Sequence, residues 1–249
     1  MKTIGIIGGV GPEATLDLYR WIIKLTPAKK DQDHVPTLIY SLPQIPDRTR
    51  ALLYGGKDPL PYLVKAAKVL EKGGADFCII PCNTAHAFID QLQKKVRIPI
   101  INMIEETAKY VISLGQEEKR VGLLATTGTI KTKIYHDTFS RYGLEIIVPP
   151  MSVQERNVME AIYGSRGIKA GFTRGIPEVL LRLAVEHLTK KGIRTIIMGC
   201  TEIPLVFQEG DVRCLLVNPT QILAQSAVTF ALGDSQQVYN RLSYRKEQP

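Results

Sequence analysis

The segment Gly74-Ala75-Asp76-Phe77-Cys78-Ile79-Ile80-Pro81-Cys82-Asn83-Thr84-Ala85-His86 is an apolar run that ends in a small polar cluster. The run predicts a buried strand, and the polar cluster predicts the start of a helix. Cys82 then stands at the carboxyl end of the strand, beside the free N–H groups of the helix start. Open α/β sheets bind their ligands at this edge, so the segment predicts both the fold class and the place of the functional site.

A second segment, Gly192-Ile193-Arg194-Thr195-Ile196-Ile197-Met198-Gly199-Cys200-Thr201-Glu202, repeats the order of glycine, apolar strand, cysteine, threonine and helix. The distance along the chain from Gly5 to Cys82 differs by a single position from the distance between Gly122 and Cys200. This agreement indicates an internal duplication. Two cysteines at equivalent strand ends could therefore face one small molecule from opposite sides.

The remaining pattern extends the duplication along the chain. Strands alternate with segments of helical period, which favours parallel sheets joined by crossover helices. We expect two pseudosymmetric doubly wound α/β domains, each with a mainly parallel four-stranded sheet flanked by helices, with the active site in the cleft between them. The first domain is predicted to comprise residues 1–102 plus 219–249, completed by the C-terminal helix, and the second to comprise residues 103–218.

Several element bounds can be predicted from the pattern. Residues 98–102 read as the fourth strand of the first half, and residues 233–249 as a tail that packs little. Helices are predicted over residues 13–25, 58–72, from Cys82 to about Lys95, 104–114, 158–163 and 220–232.

Composition excludes several classes of function. The chain of 249 residues is 45% hydrophobic and 22% charged, as in ordinary globular proteins. Its formal net charge of +8 comes from dispersed lysines without an aromatic-rich RNA motif, which argues against nucleic-acid binding. No apolar run could span a bilayer and no signal peptide is recognisable, so we expect a cytoplasmic protein without a membrane partner.

The chain has four cysteines, Cys78, Cys82, Cys200 and Cys214. A reducing compartment disfavours disulfides. Cys78 and Cys82 would lie about 13 Å apart along one strand face, and no histidine cluster completes a metal site, so zinc is the weaker alternative. Cys78 and Cys214 lie in or beside apolar strands and are expected to be buried as small hydrophobic side chains.

Two cations stand in loops near the predicted site. Arg48 follows the second strand, where its guanidinium could bind a carboxylate through two hydrogen bonds or could simply be solvated. Lys169 lies in the glycine-flanked segment 164–171, which could be a lid or a surface loop. The glycine turn 8–12 lacks the full dinucleotide fingerprint and the P-loop lysine, so we favour close approach to a small ligand over nucleotide binding.

A pair of cysteines facing one carbon acid can perform acid–base chemistry without a cofactor. A thiolate removes the Cα proton on one face while a thiol returns a proton on the other, and the stereocentre is inverted. The developing enediolate needs oriented donors, and the residues at strand ends or helix starts that could donate are Asn83, Thr84, Thr127 and Thr201. Glu202 could modulate its neighbouring thiol, bind the substrate ammonium or be a plain helix N-terminal carboxylate. His86 could assist a cysteine, but a structural role is favoured.

Four motifs carry a family resemblance: residues 81–86 (Pro-Cys-Asn-Thr-Ala-His), 199–202 (Gly-Cys-Thr-Glu), 44–49 (Gln-Ile-Pro-Asp-Arg-Thr) and 123–129 (Leu-Leu-Ala-Thr-Thr-Gly-Thr). Together they resemble the cofactor-independent aspartate racemases of the aspartate/glutamate racemase superfamily, over the chain to about Leu232. The cysteine-asparagine-threonine motif alone is also similar to glutamate and hydantoin racemases, maleate isomerases and arylmalonate decarboxylases.

The resemblance implies a two-domain pseudosymmetric fold, a homodimer, and Cys82 and Cys200 as the catalytic pair, with no cofactor or metal. It implies that Arg48 and Lys169 contact the side-chain carboxylate of a small dicarboxylic amino acid. The residues implied around its α-carboxylate and amino group are Asn83, Thr84, Ala85, Thr127 and Thr201. Val10 stands where the family often has methionine, so this part of the pocket wall is expected to differ.

The expected function is pyridoxal-independent racemisation of aspartate in both directions, with glutamate as a weaker substrate. One alternative is an isomerase or decarboxylase of another small dicarboxylate in the same superfamily. A different class of function is a non-catalytic, carboxylate-binding sensor built on the same scaffold.

Overall fold

The structure, a computed structural model, describes residues 1–115, 119–207 and 210–233. Within these ranges it is an α/β protein with two parallel sheets. The strands are β1 (Ile4–Gly8), β2 (Thr37–Ser41), β3 (Phe77–Ile79), β4 (Arg120–Ala125), β5 (Glu145–Ile147), β6 (Thr195–Gly199) and β7 (Leu215–Val217).

Helices connect the strands in both halves. The α-helices are α1 (Pro12–Leu25), α2 (Arg48–Leu53), α3 (Leu60–Lys72), α4 (Ile89–Gln93), α5 (Met103–Ser113), α6 (Thr127–Lys131), α7 (Ile134–Ser140), α8 (Met151–Val153), α9 (Glu160–Tyr163), α10 (Ile176–Thr189) and α11 (Pro219–Leu232). Short 3₁₀ helices cover Asp31–Asp33, Thr84–Phe88, Ile168–Ala170 and Ile203–Leu205, and a π-helix covers Gln154–Met159.

The two sheets share one topology. The first has the strand order β2-β1-β3 and the second the order β5-β4-β6-β7, with every pair parallel. In each sheet the first strand of the half lies between the two strands that follow it in sequence. The predicted fold class is therefore confirmed, and β3 and β6, the strands that lead to the two cysteines, occupy equivalent positions.

The first sheet differs from the expected four strands. The segment predicted as its fourth strand, residues 98–102, pairs only through one parallel bridge between Cys78 and Ile100. Pro99 has no N–H to donate to a ladder, and the N–H of Ile100 is taken by Gln93 Oε1 at 3.0 Å. The segment consequently lies beside β3 without forming a regular strand.

Alternating side chains bury both faces of each sheet, as parallel sheets require. In the first sheet Ile4 and Ile6 join a core with α1 and α11, whereas Ile7 and Cys78 join a core with α3. The second sheet is covered in the same way, by α9 and α10 on one face and by α5 and α7 on the other. The C-terminal helix α11 thus packs on the first sheet, as predicted, while the domain boundaries at 102 and 218 stay predictions.

Most of the predicted helices are present, with changes at functional turns. The predicted helix after Cys82 begins as the 3₁₀ helix Thr84–Phe88 and continues only as far as Gln93 in α4. The predicted helix over residues 158–163 starts earlier, in the π-helix. Residues 234–249 of the predicted tail lie outside the described residues. Among the described helices, none is both long and apolar enough to cross a bilayer.

Candidate active site

One small cavity in the cleft between the two sheets contains both predicted cysteines. Cys82 and Cys200 approach it from the turns after β3 and β6, so the two halves contribute one sulfur each. The cavity, called the inner cavity below, has a water-accessible volume of about 10 Å³, which is room for about one water molecule. Its lining residues are Val10, Arg48, Cys82, Asn83, Thr84, Thr126, Tyr163, Lys169, Cys200, Thr201 and Glu202.

The Cys82 turn is held by a buried histidine. His86 Nδ1 lies 2.9 Å from the carbonyl oxygen of Cys82, and its Nε2 accepts the N–H of Met103 at 3.1 Å. Nδ1 must therefore carry the proton and donate to Cys82, which makes the ring neutral. Burial lowers the pKa of His86 to about 4. His86 thus positions the turn through the backbone, in agreement with the favoured structural role.

Asn83 presents an unsatisfied donor beside Cys82. Its Oδ1 accepts the hydroxyl of Tyr135, on α7 of the other half, at 2.6 Å. This bond fixes the orientation of the amide, whose Nδ2 has no hydrogen-bond partner among the described residues although Asn83 is only 2% exposed. An unsatisfied buried donor is costly, so this N–H₂ group is a ready contact for a ligand oxygen.

Arg48 is the first residue of α2, and its guanidinium lies buried against Cys82. Nη1 donates to the carbonyl oxygens of Ile45 and Pro46 at 3.2 and 3.1 Å, and Nη2 donates to that of Val10 at 3.4 Å. Burial lowers the pKa of Arg48, but Cys82 and Asp47 outweigh it and the net direction is upward. Its Nε has no hydrogen-bond partner within the described chain, so the cation keeps a free donor.

A different charge faces the second cysteine. Cys200 Sγ donates to Glu202 Oε2 at 2.8 Å, and the other carboxylate oxygen, Oε1, accepts the ammonium of Lys169. The Thr201 hydroxyl lies 3.3 Å from Glu202 Oε2 and 3.3 Å from the carbonyl oxygen of Pro81. The Glu202 carboxylate is therefore shared between a thiol and a cation.

The charge states of this group follow from burial and mutual contact. Burial and the Glu202 carboxylate raise the pKa of the Cys200 thiol well above its usual value. Burial by itself raises the pKa of Glu202. Lys169 and the hydrogen bond from Cys200 lower that pKa by more than burial raises it, so the net direction is downward and Glu202 is ionised. In the free protein Cys200 is accordingly a thiol, Glu202 a carboxylate and Lys169 an ammonium.

Threonine hydroxyls join the two halves behind the cavity. Thr84 Oγ1 lies 3.0 Å from Thr126 Oγ1 and 2.9 Å from Thr129 Oγ1, and Thr49 donates to Thr126 at 3.3 Å. A Cβ on Gly128 would lie only 3.0 Å from Thr49 Cα, so the start of α6 requires glycine to approach α2 this closely. The site is thus closely packed on this side.

The structure brings most of the predicted site residues to the inner cavity and leaves two outside. Thr127 does not line it, because its hydroxyl donates to Glu155 Oε1 at 2.6 Å and its N–H to Met159 Sδ at 3.2 Å. Ala85 is fully buried in the core beside α3. The predicted residues that line the cavity are Val10, Arg48, Cys82, Asn83, Thr84, Lys169, Cys200 and Thr201.

Sequence reasoning missed two lining residues. Thr126 is the first residue after β4 and the N-cap of α6, a strand-end position that was available as a signal. Tyr163, at the end of α9, donates to Asp47 Oδ2 at 2.9 Å across the cleft, and its ring lies 5.4 Å from Lys169 Nζ. No sequence pattern links Tyr163 to Asp47.

A larger outer cavity of about 430 Å³ adjoins the inner one. It lies between the glycine turn after β1 and the Lys169 segment, and it shares three walls with the inner cavity, namely Arg48, Lys169 and Glu202. Gly9, which the sequence assigned to ligand approach, also meets protein: a Cβ there would lie 2.4 Å from the backbone of Leu42. These shared walls stand between the cysteines and the outer cavity.

In residues 1–115, 119–207 and 210–233, no three acidic, histidine or cysteine side chains cluster as metal ligands would. All four cysteines are free, with Cys78 buried and Cys214 half-buried. Burial raises the pKa of Cys78 to about 12 and that of Cys214 to about 11, so neither thiol is activated as a nucleophile.

The chain matches a protein-family model and several known proteins over most of its length. The family model for Asp/Glu/hydantoin racemases matches residues 7–227. The broad specificity amino-acid racemase RacX of Bacillus subtilis is 27% identical over 234 residues, which cover 92% of this chain and 98% of that protein. Picrophilus torridus aspartate racemase superposes with a TM-score of 0.81 at 26% identity, covering 96% of this chain and 98% of that one. An aspartate racemase homologue from Pyrococcus horikoshii gives a TM-score of 0.74 at 28% identity, with 93% and 100% covered.

Proposed function

The chain belongs to the Asp/Glu/hydantoin racemase family, and from this premise we propose that it racemises aspartate by a two-base mechanism that uses Cys82 and Cys200. The observation that carries the proposal is that the two sulfurs line one cavity from equivalent turns of the two halves. A carbon acid held between them would have a sulfur on each face. Inversion then needs no cofactor.

The charges around the inner cavity support a dicarboxylic amino acid as substrate. Arg48 and Lys169 supply two positive charges and Glu202 supplies one negative charge, which leaves a net charge of +1 on these side chains. Aspartate carries two carboxylates and one ammonium and complements this excess. The choice of aspartate over glutamate, whose side chain is longer by one methylene, rests on the similarity to the Picrophilus torridus aspartate racemase.

Each remaining group has a role in the proposed reaction. Asn83 Nδ2 and Thr201 Oγ1 contact the α-carboxylate and stabilise the enediolate as charge develops on it. Arg48 and Lys169 bind the side-chain carboxylate. For the enantiomer whose Cα–H faces Cys82, the Cys82 thiolate takes the proton and the Cys200 thiol donates its own to the opposite face. For the other enantiomer the two cysteines exchange these roles.

The assay follows optical activity and isotope together. L-aspartate and D-aspartate are incubated separately with the protein in deuterated water, and circular dichroism and Cα deuteration are measured. We expect both solutions to reach zero optical rotation, with deuterium at Cα of the product. Maleate and other dicarboxylates without an amino group serve as controls for an isomerase or a decarboxylase. Absence of optical change with aspartate, or unlabelled product, would contradict the proposal.

A wider substrate range is a second candidate, because the outer cavity of about 430 Å³ directly adjoins the inner one. The relative from Bacillus subtilis is named a broad specificity amino-acid racemase. In the same assay, glutamate and amino acids with longer side chains distinguish the candidates: turnover of long side chains at rates near that of aspartate would favour the wider range. The proposal further includes a cytoplasmic homodimer, on the basis of the family resemblance.

A further inference from the structure

Glu202 occupies the position beside Lys169 that the side-chain carboxylate of the proposed substrate would need. Lys169 is one of the two cations expected to bind the side-chain carboxylate, yet its ammonium is already paired with Glu202 Oε1. The pair is largely withdrawn from water, since the side chains of Lys169 and Glu202 are only 25% and 8% exposed. A ligand carboxylate can reach the ammonium only by competing with a carboxylate of the protein.

Because Arg48, Lys169 and Glu202 line both cavities, a ligand carboxylate that enters from the outer cavity must compete with Glu202 for Lys169. Glu202 and Lys169 line both cavities, and the inner cavity has room for only about one water while they are paired. A Cβ on Gly11, in the facing glycine turn, would lie 3.6 Å from Glu202 Oε1, so the carboxylate extends toward the opposite half. Separation of the pair would open space and free a cation together.

We propose that Glu202 is a built-in competitor for the substrate's second carboxylate: a bound dicarboxylate takes Lys169 from Glu202, and the released Glu202 takes up a proton. The inference rests on the proposed dicarboxylate substrate but not on racemisation. Its ligand class is any small dicarboxylate that reaches Lys169. Glu202 acts here through Lys169 and Cys200 and is a positioning residue.

The proton uptake follows from the neighbours of Glu202. Once Lys169 binds the ligand, Glu202 keeps its hydrogen bonds with Cys200 and Thr201 but loses its paired cation. It is then a buried carboxylate with the carboxylate of the ligand nearby. Burial and a like charge both favour protonation of a carboxyl group. The proton can arrive from water in the outer cavity, which Glu202 also lines.

The other titratable groups around the two cavities are less suited to take this proton. Arg48 and Lys169 are already protonated, and Cys200 is already a thiol. Asp47 keeps its hydrogen bonds from Tyr163 and from the N–H of Arg50. Glu13 is exposed on the outer rim. Cys82 lies beside the guanidinium of Arg48, on the other side of the inner cavity from Glu202.

The test uses succinate, which resembles aspartate without the amino group and has no stereocentre. Calorimetric titration of the unaltered protein, in buffers that differ in ionisation enthalpy, measures the protons taken up on binding. We expect uptake approaching one proton per chain with succinate and much less with propionate, which has a single carboxylate. Failure of succinate to bind, or binding without proton uptake, overturns the inference.

A variant gives an independent outcome. Glu202→Gln removes the competitor, so we expect succinate to bind at least tenfold more tightly than to the unaltered protein, with the proton uptake lost. A merely structural role for Glu202 predicts the opposite, because a damaged site binds ligands less well. Glu186→Gln, which removes an exposed lysine-paired carboxylate on α10, is the matched control and should bind as the unaltered protein does. Equal or weaker succinate binding by Glu202→Gln contradicts the inference.

The outcome is separable from that of the proposed function. If succinate binds with proton uptake but the protein leaves the optical rotation of aspartate unchanged, the proposed role of Glu202 is supported and the proposed racemase activity is rejected. If the protein racemises aspartate but binds succinate without proton uptake, the proposed racemase activity is supported and the proposed role of Glu202 is rejected.

Discussion

The turns that carry Cys82 and Cys200 occupy equivalent places after β3 and β6, but the charges around the two sulfurs are opposite. Cys82 lies against the guanidinium of Arg48, whereas Cys200 donates a hydrogen bond to the carboxylate of Glu202. Burial and this carboxylate raise the pKa of the Cys200 thiol well above its usual value. The two halves therefore share the positions of the sulfurs, whereas the charges beside the sulfurs differ.

The divergence is located two residues after each cysteine. Thr84 stands in the first half where Glu202 stands in the second, and the neutral hydroxyl of Thr84 is used in the threonine cluster with Thr126 and Thr129. In the second half, burial and the Glu202 carboxylate raise the pKa of Cys200, so the free protein holds a proton on this sulfur.

The largest effect is expected from removing either sulfur. Cys82→Ser and Cys200→Ser should each reduce racemisation by about 10²- to 10⁴-fold, because general acid or base catalysis on one face of Cα is lost. If the turns differ as described, Cys200→Ser should still exchange the Cα proton of one enantiomer with solvent, through the remaining Cys82. Cys82→Ser should be impaired toward that enantiomer.

The measurement compares deuterium incorporation into L-aspartate and D-aspartate for the two variants, by mass spectrometry or NMR. Cys78→Ser is a control for the general effect of altering a buried cysteine in the first half. Identical exchange patterns in Cys82→Ser and Cys200→Ser would mean that the opposite charges around the two sulfurs have no catalytic consequence.

A smaller effect, on stability, should come from the histidine that only the first turn has. The second half has Pro204 where the first has His86, four residues after the cysteine. His86 has a folded pKa of about 4 against 6.5 in the unfolded chain, so the unfolded state binds more protons between these values. Stability should therefore fall as pH falls through this window, by about 3 kcal/mol for this group.

Denaturant unfolding at a series of pH values checks this expectation. His86→Gln cannot titrate, so its free energy of unfolding should change less between pH 6.5 and 4 than that of the unaltered protein, although it should be lower at pH 7. His34→Gln, at the histidine in the loop before β2, is the matched control for the substitution itself. Equal slopes for all three proteins would show that His86 does not carry this linkage.

The duplicated strands and the cysteine pair could be predicted from sequence because their signals are local and repeated. Apolar runs closed by glycine, and asparagines at the next strand ends, suffice to locate β1, β3, β4 and β6. The absence of a fourth strand from the first sheet is also local in origin: Pro99 has no N–H to donate and Gln93 accepts the N–H of Ile100, so residues 98–102 form a single bridge with Cys78. Proline at this position is a signal that the strand prediction underweighted.

The missed parts of the site depend on contacts between distant residues. Thr126 and Thr127 are adjacent, and only the observed hydrogen bond from Thr127 to Glu155 shows that Thr126 is the one that lines the cavity. The Lys169–Glu202 pair and the Tyr163–Asp47 bond join residues 33 and 116 positions apart. No periodicity or turn rule specifies such pairs, because they are fixed by how the two halves pack.

The smallest effect is expected at the N-caps of α5 and α11, where the two halves are most alike. Asn102 Oδ1 accepts the N–H groups of Ile104 and Glu105 at 2.9 and 3.3 Å, and Asn218 Oδ1 accepts those of Thr220 and Gln221 at 3.0 and 3.4 Å. Each cap satisfies two otherwise free donors, so Asn→Ala at either position should cost about 1 kcal/mol.

Thermal or denaturant unfolding of Asn102→Ala and Asn218→Ala measures the loss of stability at each cap. Equal losses would show that the two halves are alike at these caps although they differ in the charges beside the two cysteines. The first N–H groups of any helix need acceptors whatever the protein does, and an asparagine cap supplies one in both halves. The residues beside the sulfurs differ in charge, with Arg48 beside Cys82 and Glu202 beside Cys200. A cost near zero at one cap would mean that α5 and α11 have also diverged, and that the two halves resemble each other only in their strands.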